Sequence, residues 1–182
     1  MRELSAAASP ADAIPTGFRE AMRRLASTVC IITSADDGMW YGMTATAVTS
    51  VSMSPCALLV CINEGAAFHS VVAHSRRFCV NLLRSHQSEL AGVFAGRRKG
   101  TSRFDVGTWA ASEQGLPYLV DAQASVFCDV DVALHYKTHT IFVGEVTGVC
   151  CHPQVGPLIY QDGQYVAGVP VGAVGLQPSM RT

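Results

Sequence analysis

The sequence predicts a mainly β fold, an antiparallel β-barrel with a few short peripheral α-helices. Short apolar runs rich in β-branched residues recur along the chain and are separated by turn residues, which is typical of antiparallel strands. The 182 residues suffice for one hydrophobic core and are few for two. Hydrophobic residues make up 49% of the chain and charged residues only 15%, so much of its surface is expected to be buried.

The net charge and the terminal segments argue against several classes of protein. The formal net charge is −1, which leaves no basic surface for nucleic acid. Residues 1–15 combine Ala, Ser and Pro without periodicity, so we expect a disordered segment that is not a secretory signal. The uncharged run 38–63 contains too many hydroxyls for a membrane span. We therefore expect a soluble cytoplasmic protein with one folded domain, residues 16–170, and a flexible tail, residues 171–182.

The first half of the chain predicts one helix and three strands. Thr16 is a suitable N-cap for a helix that ends near Ser27. Phe18, Met22 and Leu25 recur on one face of that helix. The runs VCIIT and WYGMTATAV follow as strands, and the turn SADDG joins them into a hairpin. ALLVCIN is apolar throughout, which indicates a third, buried strand.

The second half predicts two short helices followed by strand after strand. Phe68, Val71 and Val72 share one face of a short helix that precedes the strand FCVNLL. Ser85 is a suitable cap for the next short helix, and GRRKGTSRFDVGTW is expected to be a charged loop. The remaining strands are ASVFCDVDVALHY, TIFVGEVTGVCC, PLIY and QYVAGV. Between the last two, Asp162-Gly163 is a strong signal for a two-residue hairpin turn.

Seven cysteines without a CxxC pair suit a reducing compartment. Those inside strand-like runs are expected to be buried thiols that act as small hydrophobes: Cys30, Cys61, Cys79 and Cys128. Cys150, Cys151 and His152 form a compact cluster, but two adjacent thiols with one His are a weak metal signal, and we expect no metal site. Redox sensing by Cys150 and Cys151 remains an alternative function.

The stretch GMTATAVTSVSMSP, residues 42–55, is the strongest candidate for a binding segment. No GxGxxG after a strand, Walker loop, HExxH or GxSxG is present, so a nucleotide would bind without a Rossmann unit. Hydroxyls and backbone N–H groups at strand ends can hold a phosphate with help from an Arg. Small residues such as Ala45, Thr46 and Ala47 would let a planar ring approach the backbone. An ordinary Thr-rich strand has the same composition, and the segment alone leaves both readings open.

The order of nine short segments resembles the flavin reductase-like family, whose members have an FMN-binding split β-barrel. The resemblance runs from about Phe18 to Tyr165. The segments are GMTATAVTSVSMSP, LLVCIN, FxVNLL, QxxLAxxFA, RF, GLPYL, a His before a strand, that strand TIFVGEV, and LIYxxGxY. No single segment is specific, but their common order is.

This resemblance implies a Greek-key split barrel that acts as an NAD(P)H:flavin oxidoreductase. FMN or FAD would be reduced by hydride from NADH or NADPH, with NADH the expected donor. Free reduced flavin would then reach a partner flavin-dependent monooxygenase. A homodimer with flavin near the subunit interface is also implied. The alternative on the same fold is a non-catalytic flavin- or heme-binding carrier or sensor.

The resemblance also implies a role for individual residues. The isoalloxazine ring would be lined, largely by backbone groups, by Thr44, Ala45, Thr46, Ala47 and Val48. The ring edge and the ribityl–phosphate chain would be reached by Thr49, Ser50, Val51 and Ser52. The ring would be flanked by Cys61, Ile62 and Asn63, with Asn81 and Leu82 on the neighbouring strand. The phosphate would lie near Ala67 and Phe68. Arg103 would steady a phosphate or be a solvated loop charge, and Tyr165 would close the site or pack in the core. His139 would lie near the nicotinamide as the catalytic residue.

The chain departs from the family pattern at several positions. The usual Gly-Asp-His triplet reads Lys137-Thr138-His139, which loses the Gly turn and the carboxylate that would orient the His. Thr46 and Gln164 replace a common Asn and a common Arg, and Cys56 replaces the second of two prolines. These changes are expected to shift flavin affinity or the preference between FMN and FAD. Four of the five histidines outside the triplet are expected at the surface: His69, His74, His86 and His135.

Overall fold

The structure is a computed structural model that describes residues 10–171. Its helices are α1 Pro10–Arg23, α2 Ala67–Ser75 and α3 Ser88–Gly92, with a π-helical turn Val93–Arg97 and a 3₁₀ helix Gly100–Asp105. Its strands are β1 Ser27–Thr28, β2 Cys30–Asp36, β3 Met39–Ala45, β4 Val48–Met53, β5 Cys56–Asn63, β6 Arg77–Leu82, β7 Trp109–Ala111, β8 Pro117–Leu119, β9 Ala124–Tyr136, β10 His139–Cys151, β11 Leu158–Gln161 and β12 Gln164–Ala167. Over residues 10–171, no helix is long and apolar enough to cross a membrane.

A seven-stranded antiparallel sheet in the order β3-β2-β6-β9-β10-β5-β4 forms the body of the protein. Its inner face supplies one apolar core, which takes Ile32 from β2, Val60 from β5 and Phe142 from β10. Ala45 of one edge strand and Val48 of the other pack against that same core. Because both edges meet one core, the sheet curls on itself. The predicted mainly β, antiparallel barrel with short helices is thus confirmed.

The link between β3 and β4 completes the barrel wall. Thr46 and Ala47 lie between the two strands, outside regular ladder pairing. The Ala47 carbonyl accepts a hydrogen bond of 3.1 Å from the Cys61 N–H, which ties the link to β5. Gly42 is required nearby in β3, because a β-carbon there would lie 2.8 Å from Cε1 of Phe94.

Helix α2 covers one end of the barrel. Its side chains Phe68, Val71 and Val72 are buried, as their spacing predicts, and two of them belong to the barrel core. A second apolar cluster lies between β2, α3 and the turn that follows α3. There Phe104 contacts Trp109, Phe94 and Trp40 with ring centroids 5.0–5.5 Å apart, so the segment predicted to be a loop contains a 3₁₀ helix held by aromatic packing.

Two hairpin turns follow directly from the sequence. Asp37-Gly38 and Asp162-Gly163 all have positive φ, between 49° and 80°, as a two-residue type I′ turn requires. The second turn joins β11 to β12, which form a separate three-stranded sheet with β1. The hairpin predicted at Asp162-Gly163 is therefore confirmed.

Helix α1 begins earlier than predicted. It starts at Pro10 instead of Thr16, so the expected disorder is wrong for residues 10–15. A proline is favourable at the first helical position because it has no N–H to leave unpaired and its φ already suits a helix. The other end is fixed by Arg23, whose Nε lies 3.0 Å from Asp162 Oδ1 and whose carbonyl accepts the Asp162 N–H. The disorder predicted for residues 1–9 and the flexible tail beyond Val171 lie outside the described residues.

Candidate functional site

A cleft of about 600 Å³ opens at the end of the barrel where the hydroxyl-rich segment lies. Residues 46–50 form one wall, and residues 25–28 form the opposite wall. The floor is apolar and consists of Leu58, Val80, Leu82 and Val126. The cleft therefore offers hydroxyls and backbone groups around an apolar base, which suits a ligand with a flat apolar body and a polar edge.

The local sequence explains why this wall is open. The side chains of Thr46, Ala47, Thr49 and Ser50 are exposed. Thr46 and Ala47 lie outside strand pairing between the edge strands β3 and β4, and their small size leaves the backbone accessible from the cleft. On the opposite wall, Ser27 and Thr28 form a strand of only two residues, paired with Tyr160 and Ile159.

The cleft continues into a smaller pocket of about 270 Å³ beneath helix α1. Leu25, Ser27 and Thr46 line both cavities. The smaller pocket is also lined by Arg19 and Tyr160. A guanidinium at this position can pair with an anionic group that extends out of the cleft.

The outer face of the barrel is apolar next to the cleft. Successive strand residues point to opposite faces, so Thr49, Leu59, Cys61 and Asn63 lie outside while their neighbours enter the core. On β10 the outer face carries His139, Ile141 and Val143. On β9 it carries Val132, Leu134 and Tyr136, which are 48%, 57% and 67% exposed. Thr49 and Leu59 also line the cleft, so the cleft and this outer face are continuous.

His139 lies at the far end of that outer face. It pairs with Asn63 of β5, four residues beyond Leu59 in the cleft wall. At a rise of about 3.4 Å per residue, His139 is about 14 Å from that wall. A single chain thus does not bring the predicted catalytic residue into the cleft.

The turn before His139 keeps its shape without the Gly of the family pattern. Lys137 takes up φ 58°, a left-handed conformation that costs a side-chain-bearing residue roughly 1–2 kcal/mol. The Thr138 hydroxyl lies 2.9 Å from Nδ1 of His139. A hydroxyl thereby occupies the position from which the family carboxylate was expected to orient the ring.

A carboxylate is nevertheless present on the inner side of the same turn. Glu64 contacts Nδ1 of His135 and accepts a hydrogen bond of 3.0 Å from the Thr140 hydroxyl. That hydroxyl also lies 2.8 Å from Nε2 of His69. The hydrogen bonds from His135, and then from Thr140, lower the pKa of Glu64 below its ordinary value. His69 and His135, which the sequence assigns to the surface, therefore share one polar network.

Three of the residues predicted to surround flavin have buried side chains. Ile62 and Phe68 point into the barrel core. Asn81 is fully buried: its Nδ2 donates to Ile31 O and Thr33 Oγ1, and its Oδ1 accepts from Leu119 N and Ser125 Oγ. Because these contacts satisfy the hydrogen-bonding groups of the amide, Asn81 holds the strands together and is not free to reach a ligand.

Other predicted residues do not line the cleft. The Thr44 hydroxyl donates to the Ala91 carbonyl at 2.6 Å, and Ala45 packs on the barrel core. Val51 and Ser52 lie further along β4, and Ala67 is exposed at the start of α2. Arg103 is held by the carbonyls of Gly42 and Arg98. Tyr165 packs edge-on against Tyr160 on the three-stranded sheet.

Sequence reasoning missed the wall opposite the hydroxyl-rich segment. Leu25 and Ser27 belong to the end of the predicted helix, and Thr28 lies between that helix and the predicted strand VCIIT. A second pair of adjacent hydroxyls directly before a buried strand was the available signal. Nothing in the sequence indicated Arg19, because its position depends on how Asp162 fixes α1.

Cys30, Cys79 and Cys128 are buried as predicted, but Cys61 is only half-buried because it lies on the outer face of β5. Burial raises the pKa values of Cys30 and Cys128 to about 12, and it also raises the pKa of Cys79. Such thiols stay protonated and unreactive, as their predicted packing role requires. Cys150 and Cys151 are exposed, and all seven thiols are free.

The fold and the cleft define a barrel protein with an open site whose lining suits a planar ligand with a polar edge. The chain belongs to the flavin reductase like domain family, whose sequence profile matches residues 22–168. This membership confirms the split-barrel fold that the order of motifs predicts.

Curated relatives and solved structures agree with this assignment. The reductase component of the FADH(2)-dependent resorcinol hydroxylase from Rhizobium sp. is 38% identical over 163 residues, covering 88% of this chain and 91% of the relative. The FMN reductase (NADH) RutF 1 from Methylorubrum extorquens is 38% identical, covering 91% of this chain and 81% of its own. The NADH:FAD oxidoreductase SgcE6 from Streptomyces globisporus, solved with NAD and FAD fragments, superposes with a TM-score of 0.81 at 27% identity, covering 92% of this chain and 99% of its own.

Proposed function

We propose that this protein is an NADH-dependent flavin reductase that supplies free reduced flavin to a flavin-dependent monooxygenase. The observation that carries the proposal is the cleft built on residues 46–50 in a chain of this family. The relatives named as an FMN reductase (NADH) and as the reductase component of a hydroxylase support the same reaction.

The cleft fits a flavin on three physical grounds. Its volume of about 600 Å³ lies within the usual range for small-molecule sites. Its floor of Leu58, Val80 and Leu82 suits the apolar ring, and Ala47 is small enough for the ring to approach the backbone. The neighbouring pocket with Arg19 suits the phosphate.

The chain's own residues bind and orient the two nucleotides. When bound, flavin supplies the hydride acceptor and nicotinamide the donor. The hydroxyls of Thr46, Thr49 and Ser50 surround the polar edge of the cleft, where donors stabilise the negative charge that develops on reduction. The apolar floor excludes water from the ring. Alignment of the two rings is the main contribution that the protein makes to the rate.

A homodimer completes this site in the proposal. The outer face with Val132, Leu134 and Tyr136 is too apolar and too continuous to face water. A second copy packed on it would cover the rim of the cleft at Thr49. A two-fold dimer also brings the partner's copy of the outer face, His139 included, towards this rim. We therefore assign His139 to nicotinamide binding in the dimer.

The test is NADH oxidation by the purified protein with FMN, FAD or no flavin, performed with and without oxygen. The expected result is consumption that requires flavin and saturates with both substrates. Flavin binding without oxidation of either NADH or NADPH would overturn the proposal and favour a flavin carrier.

A further inference from the structure

The β9–β10 turn that carries His139 is fixed from behind by Glu64. The Glu64 N–H donates to the Thr138 carbonyl at 2.9 Å. Its carboxylate contacts His135 on the strand before the turn and Thr140 on the strand after it. One residue of the segment between β5 and α2 thus bonds to both strands and to the turn between them.

The network lies directly behind His139. His139 is on the outer face, and the next residue, Thr140, is buried and points inward. Thr140 also contacts His69 of α2, whose ring packs 5.5 Å from that of Phe142 in the barrel core. The contacts therefore connect the turn to the rigid part of the molecule.

The turn needs such support. Lys137 holds a left-handed φ that its side chain disfavours, and strained turns persist only where surrounding contacts fix them. The carboxylate is 34% exposed and His135 is 66% exposed, so both can form this contact without desolvating a buried charge. Among residues 10–171, no group of three or more His, Cys, Asp or Glu side chains is placed to hold a metal ion, so the network binds the turn and not a metal.

We propose that Glu64 is a positioning residue that fixes His139 for nicotinamide binding. This inference rests on the proposed function. Glu64 acts through the Thr138 carbonyl and through Thr140, on either side of His139. Loss of its charge weakens the contact with His135 first and lets the turn move, while the cleft at the other end of the barrel is left intact.

The first experiment compares Glu64→Gln with the full-length wild type. Gln keeps the size and one acceptor oxygen but removes the charge, and a typical net hydrogen bond is worth about a two- to tenfold effect. We expect the KM for NADH to rise by about that factor, while the KM for flavin stays within about twofold. Equal rises in both KM values, or a loss of the folded dimer, would show a general structural role and overturn the inference.

The second experiment tests whether Glu64 acts through His139. In a His139→Ala background, Glu64→Gln is expected to change the KM for NADH no further, because residues acting as a unit are not additive. A full additional increase in the double variant would overturn the inference.

Asp36→Asn is the matched control. Asp36 contacts His74 at 2.9 Å, a carboxylate–imidazole pair of the same chemistry that is not part of the Glu64 network. We expect it to leave both KM values unchanged. A wild type that oxidises no NADH would overturn the proposed function together with this inference. An active wild type with an unaffected Glu64→Gln variant overturns the inference alone.

Discussion

The two ends of the outer barrel face are built in opposite ways. At the cleft, two residues outside strand pairing link the edge strands β3 and β4, and small exposed side chains leave the backbone open. At His139, strand pairing continues to the turn, and Glu64, Thr140 and His69 brace it. The contrast separates two tasks: an open wall can admit a ring, whereas a side chain that must meet a second ligand has to be held still.

The largest expected effect is that of a charged residue introduced into the apolar outer face between the cleft and His139. A charge left unpaired in an apolar interface costs about 2–5 kcal/mol, so Leu134→Glu should weaken the proposed dimer by at least about 30-fold. NADH oxidation should fall with it. Light scattering after gel filtration, at several concentrations, measures the assembly state. Val155→Glu is the control, because Val155 is 85% exposed outside the strands. An unchanged dimer in Leu134→Glu would show that this face is not the interface.

Ala47→Leu should disturb the cleft without disturbing the turn. The larger side chain occupies the space where the ring is expected to approach the backbone, and added methylenes in a pocket typically change selectivity by about tenfold or more. We therefore expect a rise of about tenfold in the KM for flavin, measured at saturating NADH. The exposed Ala73 of α2 offers the control substitution Ala73→Leu. A normal flavin KM in Ala47→Leu would place the ring elsewhere.

His139→Ala should affect the KM for NADH and not flavin binding, the opposite of what Ala47→Leu is expected to do. Loss of one polar contact to nicotinamide is expected to raise the KM for NADH by about five- to tenfold and to leave flavin binding unchanged. Steady-state kinetics for NADH and fluorescence titration with flavin measure the two effects. If KM and turnover with NADH both match the wild type, His139 is a structural residue.

The smallest expected effect is the contribution of Glu64 to the pH dependence of thermal stability. The pKa of Glu64 is lowered in the folded protein, so its contacts stabilise the fold above the ordinary carboxyl pKa and are lost as the pH falls through the lowered value. The wild type should therefore have a higher Tm than the Glu64→Gln variant at neutral pH, and this difference in Tm should vanish in acid. Thermal melts over a pH series test this. A difference that grows on acidification would contradict the lowered pKa.

Patterns local to one strand or turn were readable from the sequence. The turn at Asp162-Gly163, the buried face of α2 and the long strands β9 and β10 all follow from short-range periodicity and turn chemistry. Helix α1 was placed too late because its start depends on Pro10, and Ala, Ser and Pro suit a disordered segment equally well.

Only one wall of the candidate site could be predicted from the sequence. Hydroxyl crowding in residues 44–52 pointed to one wall of the cleft, and the order of motifs identified the family. Asn81 illustrates the limit: a polar residue in an apolar strand predicts a contact, but only the fold shows that Ile31, Thr33, Leu119 and Ser125 fill it.

The mainly β fold, the family and the segment that forms the open wall could be predicted from the sequence, because these depend on residue type and spacing along the chain. Only the folded structure shows the wall of residues 25–28, the position of Arg19 beside the cleft, the interior positions of Ile62 and Phe68, and the carboxylate of Glu64 behind His139. The reason is physical. Glu64 lies about seventy residues before the strands it contacts, and only antiparallel pairing of β5 with β10 brings the two together.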